Sequence, residues 1–211
     1  MAVTLASPEV GGVVDHRGEP RLPLSELAHI AAFRGYEFPE GFQPQLAVVH
    51  HYRRAKDVFL PANGVQAALV EVDLRTGIVT PLKHWAVCDC GRVLNPLLVE
   101  EQLRGGIVQG IGEALYEELR YGAGGHLETG TLAEYLVPMA AEMPDIVVGH
   151  VQTPYAGSSL GAKGAGEAGA AAAPAAILNA VNDALAPHGA MVEALPITPV
   201  AVLRALQGAG A

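Results

Sequence analysis

The chain has 211 residues, is half apolar, and sets 22 acidic against 13 basic side chains for a formal net charge of −9. That length is enough to bury one substantial core, and an acidic surface without a Lys/Arg cluster repels a phosphate backbone, which argues against nucleic acid as a partner. The N-terminal stretch MAVTLASPEVGG lacks a basic start and a long apolar run, and no segment reaches membrane-spanning length, so a soluble cytoplasmic protein is expected.

In chain order, PLSELAHIAAFRGY places Leu24, Leu27, Ile30 and Ala31 on one helical face, with Ser25 as the expected cap and Gly35 as the stop. EFPEGFQP reads as loop. QLAVVHHY, VQAALVEVD and GIVTPLKHWAVCD read as strands from their β-branched, alternating content, with Asp73 to Gly77 as the hairpin turn between the last two. Cys88 and Cys90, the only cysteines, are expected as reduced thiols on opposite faces of a strand, not as a disulfide or metal pair. Asn95-Pro96 is a helix start, an amide cap followed by proline at the first helical position. Val99, Leu103, Ile107, Ile111, Leu115 and Leu119 then recur every four residues and predict a long helix to about Arg120.

That helix would contain Gly105, Gly106, Gly110 and Gly112. Each costs roughly 1 kcal/mol relative to alanine inside a helix, so the backbone must be closely approached by something. YGAGGH reads as a turn, TLAEYLVP is ambiguous, DIVVGHVQ is a strand, and AAAAPAAILNAVNDALAP forms a second apolar helix. The fold class is α+β. His50, His51, His84 and His150 lack the spacing and companion ligands of a zinc site and read as ordinary surface or packing residues.

The segment GAKGAGEAG surrounds Lys163 and Glu167 with Gly161, Gly164, Gly166 and Gly169. Such a backbone can adopt positive φ and come near a bulky ligand, with a helix N-terminus close behind. It is not a nucleotide P-loop, because Gly follows the Lys and the GxxxxGK spacing is absent. Glycine spacing alone serves a cofactor cradle and a flexible surface loop equally well.

Three segments in order carry a resemblance: DCGRVLNP at 89–96, EQLRGGIVQGIGEALYEE at 101–118 and LGAKGAGEAGAAAAPAAILNAVNDAL at 160–185. Together they closely resemble the C-terminal part of the molybdopterin-binding large subunit of the xanthine dehydrogenase, aldehyde oxidoreductase and aerobic carbon monoxide dehydrogenase family. VEVDLRTGIV, EYLVPMAAEMPDI and TPYAGSSLGAKG extend the likeness. The resemblance implies one domain over 1–211, matched closely at 63–211 and loosely at 1–62. It also implies a mixed sheet with a long Gly-rich helix and a C-terminal Ala-rich helix, as in the second half of the molybdopterin-binding domain.

By the same resemblance Glu167 is the catalytic general base, and Gln102 stands where a glutamine amide reaches an apical ligand of the metal. Ala162, Lys163, Gly164, Ala165 and Gly166 match residues that pass close to the pterin, and no residue here ligates the metal directly. Asp89 and Asn95 are expected to set the turn and cap that orient the long helix. The implied cofactor is the molybdenum cofactor, as molybdopterin or its cytosine dinucleotide form. The implied reaction is oxidative hydroxylation of a small carbon substrate (aldehyde, purine or N-heterocycle) with water as oxygen source; the alternative is a non-catalytic assembly subunit. Family subunits are much longer, and Met1 reads as a start codon, so a split subunit is expected. Its partners would be a chain supplying the N-terminal part, an iron-sulfur subunit with [2Fe-2S] clusters, which two cysteines here cannot ligate, and an FAD-bearing flavin subunit.

Overall fold

The computed structural model describes residues 4–5, 12–15, 17, 19–42, 47, 49–51, 60 and 62–209. Two compact units, 1–53 and 54–211, are taken separately.

In the first unit, β1 (Thr4–Leu5), β2 (Gly12–Val14) and β3 (Pro20–Pro23) form an antiparallel sheet in that order. The sequence reading placed no strands before Leu24, because two to four residues are too few to show an alternation. The β2–β3 connection is closed by Asp15, whose carboxylate accepts the amides of Arg17 at 2.8 Å and Glu19 at 3.1 Å. Helix α1 (Leu24–Phe33) follows directly from β3, so its N-cap is Pro23, without a side-chain cap bond. Ser25 is therefore not the cap: it already lies inside the first turn. The described part of QLAVVHHY, namely Ala47 and Val49 to His51, is in no strand, and its other residues lie outside the described set.

The second unit is built on a mixed sheet. β4 (Asn63–Val72) and β5 (Val79–Asp89) pair antiparallel, and β6 (Asp145–His150) joins β5 in parallel. The turn between β4 and β5 forms as its sequence indicates: Asp73 accepts the Gly77 amide at 2.7 Å, and Gly77 sits at φ 74°, where a side chain is disfavoured. Helix α2 (Pro96–Leu115) starts at Asn95, whose side chain accepts the Leu98 amide at 3.2 Å. It ends five residues before the expected Arg120. The amides of Tyr116 and Glu117 share the Gly112 carbonyl, which closes the last turn, and Leu119 is left exposed outside the helix.

Helix α3 (Ala173–Leu185) is the Ala-rich helix, and α4 (Pro199–Ala209) follows it. The sequence reading did not place α4. The core joins Ala86 and Ile146 of the sheet to Ile107, Ile111, Ala114 and Leu115 of α2 and to Ile177, Val181 and Leu185 of α3, with Ile197 and Val202 closing the end. A smaller cluster unites Cys88, Cys90 and Leu103. The two thiols thus share a side, contrary to the expectation, because strand alternation has a period of two and residues two apart point the same way. Both are free and buried; burial foremost, then the neighbouring Cys90 and Asp89, pushes the Cys88 thiol up, which keeps it protonated.

Three of the four α2 glycines answer to close contacts within the chain. A Cβ on Gly106 would stand 2.9 Å from the Ala170 amide nitrogen, one on Gly110 2.7 Å from the Ala173 Cβ, and one on Gly112 3.0 Å from Pro138. From the other side, a Cβ on Gly169 would meet the Leu103 carbonyl oxygen and lie 3.0 Å from the Gly106 Cα. Backbone therefore packs on backbone where α2 crosses the turn leading into α3. Gly105 faces open space.

Among the described residues no helix is long and apolar enough to cross a membrane.

Candidate active site

The glycine-rich segment 161–170 lies between the end of β5, the first half of α2 and the start of α3. Side-chain and backbone bonds from several elements hold it. The side-chain amide of Gln102 on α2 donates to the Gly166 carbonyl at 2.7 Å. Gln66 on β4 donates to the carbonyls of Gly169 at 2.8 Å and Ala168 at 3.3 Å. The Lys163 amide donates to the Cys90 carbonyl at 2.8 Å, and Ala162 bridges Gly91. Lys163 Nζ lies 3.2 Å from Asp89 Oδ2, with both side chains largely buried.

Asp89 is the hub of that corner. The hydroxyl and amide of Thr153, then the Gly91 amide, then the Lys163 ammonium all stabilise its charged form and hold the carboxyl well below the usual carboxylate range. Gly91 turns the chain at φ 71°, and a Cβ there would collide with the Gly161 carbonyl. Asp89 and Asn95 thus have the turn-setting and capping roles expected of them.

Gln66 was not recognised from sequence. It also links the segment to the core: His84, fully buried on β5, has Nε2 at 2.9 Å from Gln66 Oε1. Because the Gln66 amide nitrogen is already engaged with two carbonyls, Nε2 must carry the proton and donate. Among the described residues His84 Nδ1 has no partner, so a second proton would sit on a buried donor with nothing to accept it, and burial lowers the histidine pKa.

Glu167 is exposed, its carbonyl accepting the amides of Ala170 and Ala171 at 3.1 and 3.2 Å. It lines a cleft of about 540 Å³ with Gly166, with Gln109 and Glu113 of α2, with Pro174, Ala175 and Leu178 of α3, and with Leu195. Gln109 and Glu113 were also missed, although they lie seven and eleven positions after Gln102 and so share its side of the helix. A second cleft of about 630 Å³, bordered by Tyr116, Arg120 and Thr129, contains none of the predicted residues.

The predicted contact residues divide by direction. Gln102, Gly164 and Gly166 are exposed; among the described residues a Cβ on Gly166 would meet nothing, and one on Gly164 only the Leu60 carbonyl at 3.6 Å. Ala165 turns inward against the Cys88, Cys90 and Leu103 cluster. Lys163 also turns inward, its charge already matched by Asp89. The arrangement fits a polar group that approaches a bare glycine backbone: Gln102 uses one N–H on Gly166 and, among the described residues, has its second N–H and its oxygen left for another partner. Recognition of an anion here would rest on amides, not on the Lys163 cation.

The chain is 40% identical over 190 residues to the nicotine 6-hydroxylase large subunit of Paenarthrobacter nicotinovorans, covering 90% of this chain and 23% of that one. It is 31% identical over 181 residues to the carbon monoxide dehydrogenase large chain of Hydrogenophaga pseudoflava, covering 86% and 22%. Among solved structures, quinoline 2-oxidoreductase from Pseudomonas putida 86 superposes with a TM-score of 0.76 at 38% identity, over 97% of this chain and 26% of that one. The chain therefore spans about a quarter of the length of these relatives. The family model for the molybdopterin cofactor-binding domain matches residues 2–144, which include Gln102 and end before the Glu167 segment. By that match, the chain belongs to the molybdopterin cofactor-binding domain family.

Proposed function

We propose that the chain is the C-terminal portion of the molybdopterin-binding subunit of a molybdenum hydroxylase, with Glu167 as its general base. The observation that carries the reading is the bond from Gln102 to the Gly166 carbonyl, which brings residues 64 positions apart together beside Glu167. Gln102 and the backbone at Gly164 and Gly166 would hold the molybdenum cofactor from this side, with Ala162, Lys163 and Ala165 setting the course of the segment.

When bound, that cofactor supplies the two-electron oxidation of a substrate carbon, with oxygen from water. Glu167 takes up a proton at a carboxylate oxygen as the carbon–oxygen bond forms, and its exposure on an open cleft lets that proton pass to solvent. The bonds from Gln102 and Gln66 fix the peptides on both sides of Glu167, so the carboxylate is presented from a rigid base although it is itself exposed. Tight geometry of this kind is what general base catalysis requires.

Two relatives at 38–40% identity are named for nicotine and quinoline, which favours an N-heterocycle over an aldehyde or a purine as substrate. The rest of the subunit, an iron-sulfur subunit with [2Fe-2S] clusters and an FAD subunit would complete a cytoplasmic complex; a relative is named as a subunit of a dehydrogenase complex.

The test uses the complex co-purified with its partner chains. Molybdenum should be present by elemental analysis, and Glu167→Gln should lower kcat by about 10²–10⁴-fold while molybdenum content is kept. Undiminished turnover in the variant would remove Glu167 as the base. A metal-free complex would leave the chain an assembly subunit.

A further inference from the structure

Among the described residues of this unit, one side of the β4–β5–β6 sheet is covered by α2 and α3, and the other is bare. Register sets the bare side in rows across the strands: Leu69, Lys83 and Asp145; Ala67, Trp85 and Val147; Val65, Val87 and Gly149. Trp85 is at the centre, and its exposure of 38%, with 66% for Val65, 50% for Leu69, 40% for Val87 and 42% for Val147, marks one continuous apolar patch. Lys83 and Asp145 pair at 3.2 Å along one border, and the Lys83 ammonium lies 5.7 Å from the Trp85 ring centre.

Apolar residues scattered singly over a surface need no explanation. Four large ones grouped around a tryptophan, with an ion pair at the border, have the composition of an interface centre and its polar rim. The length of the relatives says what covers it. The same fold in quinoline 2-oxidoreductase makes up 26% of its chain, so roughly three times as much polypeptide accompanies it there.

We infer that the bare sheet side centred on Trp85 is the docking surface for the polypeptide that carries the remainder of the molybdopterin-binding subunit. The inference rests on the functional reading above. The partner presents an apolar element across the strands, with polar groups at the Lys83–Asp145 border. The surface also runs into the candidate site: β5 carries Trp85 and Val87 and ends at Asp89, which holds Lys163 of the glycine-rich segment. Docking therefore brings the partner to the Asp89 end of β5, which anchors the glycine-rich segment through Lys163.

Trp85 is the only tryptophan of the chain, which makes the test direct. The full chain is labelled with 5-fluorotryptophan and titrated with the unlabelled polypeptide carrying the rest of the subunit. The fluorine resonance should shift and lose its sensitivity to solvent isotope. Val147→Lys should weaken association roughly a hundredfold, whereas Leu132→Lys, at a site exposed to 83% and off the sheet, should leave it unchanged. Unchanged melting confirms that Val147→Lys folds, and Leu69→Lys replaces it if it does not.

A complex in which the Trp85 signal stays solvent-sensitive, a shift produced by the labelled chain alone on concentration, or an absence of association overturns the inference. The two readings fail separately. A complex that buries Trp85 but holds no molybdenum sinks only the enzymatic reading, and one that holds molybdenum with Trp85 exposed sinks only the docking surface.

Discussion

Gly105 and Gly106 are adjacent in α2, and replacing each with alanine should move stability in opposite directions. At Gly105 a Cβ meets nothing within 4 Å outside the helix's own backbone. Gly105→Ala therefore gains helix propensity alone, about 1 kcal/mol, or about 2–4 °C in Tm for a chain of this size. Gly106→Ala has the same propensity gain, but its Cβ would stand 2.9 Å from the Ala170 nitrogen, 3.0 Å from the Gly169 Cα and 3.2 Å from the Gly169 carbonyl carbon. Ordinary carbon contacts lie at about 3.5–4.0 Å, so α2 and the turn at 166–170 must part by roughly half an ångström. All three obstructing atoms are backbone, and the same contact carries the Gln102–Gly166 and Gln66–Gly169 bonds, so the turn cannot yield on its own.

Overpacking of this kind costs about 1–3 kcal/mol and can exceed that range. A net loss of up to about 2 kcal/mol is expected after the propensity gain, which puts the two variants about 1–3 kcal/mol apart. Gly169→Ala has no helical gain to offset its clash with the Leu103 carbonyl and should lose more than Gly106→Ala. Thermal melts followed by far-ultraviolet circular dichroism, with urea unfolding as a second measure, read the difference. A Gly106→Ala chain as stable as Gly105→Ala would refute the close approach of α2 to the segment, and with it the geometry assigned to the candidate site.

Asn95→Ala removes the acceptor for the Leu98 amide and should cost about 1 kcal/mol in urea unfolding; no loss would mean that water caps α2 equally well. The depressed pKa of Asp89 makes a contribution present in full above the unfolded value of about 3.9 and lost as pH falls through the folded value. Asp89→Asn should therefore reduce the slope of stability against pH below about pH 4, and an unchanged slope would count against the hub. His84 has a lowered folded pKa, so its contribution is full above about 6.5 and disappears as pH falls through the folded value. His84→Phe should flatten that region of the stability profile at a cost of about 1–3 kcal/mol for leaving Gln66 Oε1 without its donor; a profile parallel to that of the parent chain would refute the neutral tautomer.

Much was legible because the signal was local. Asn95-Pro96 specifies a helix start from two adjacent residues, Asp73 to Gly77 a turn from five, and the four-residue recurrence from Leu103 to Leu115 the buried side of α2. Helix α4 carried a similar mark, since Thr198 precedes Pro199 as Asn95 precedes Pro96 and its Oγ1 accepts the Ala201 amide at 3.2 Å. Its eleven residues are no less amphipathic than those of α3, so the signal was present and the sequence reading passed over it. Leu119 shows the converse error: it continues the spacing, but a helix persists only while its carbonyls find partners, and the shared Gly112 carbonyl ends α2 first.

The amino-acid sequence by itself determined the α+β class, the order of the main elements and the three segments that resemble the molybdopterin-binding subunit. Glu167 and Gln102 could be named from it because their neighbours form continuous motifs. Tertiary structure alone decided the relations between distant residues. Lys163, expected from the resemblance to pass close to the pterin, is matched by Asp89 across 74 positions, and Gln66 ties the segment to His84 in the core. Side-chain bonds of this kind form between groups that folding brings within about 3 Å, and their range is too short to impose any pattern on the intervening chain. Local periodicity could place the strands; only their pairing showed that Trp85, Val87 and Val147 together form a bare apolar surface.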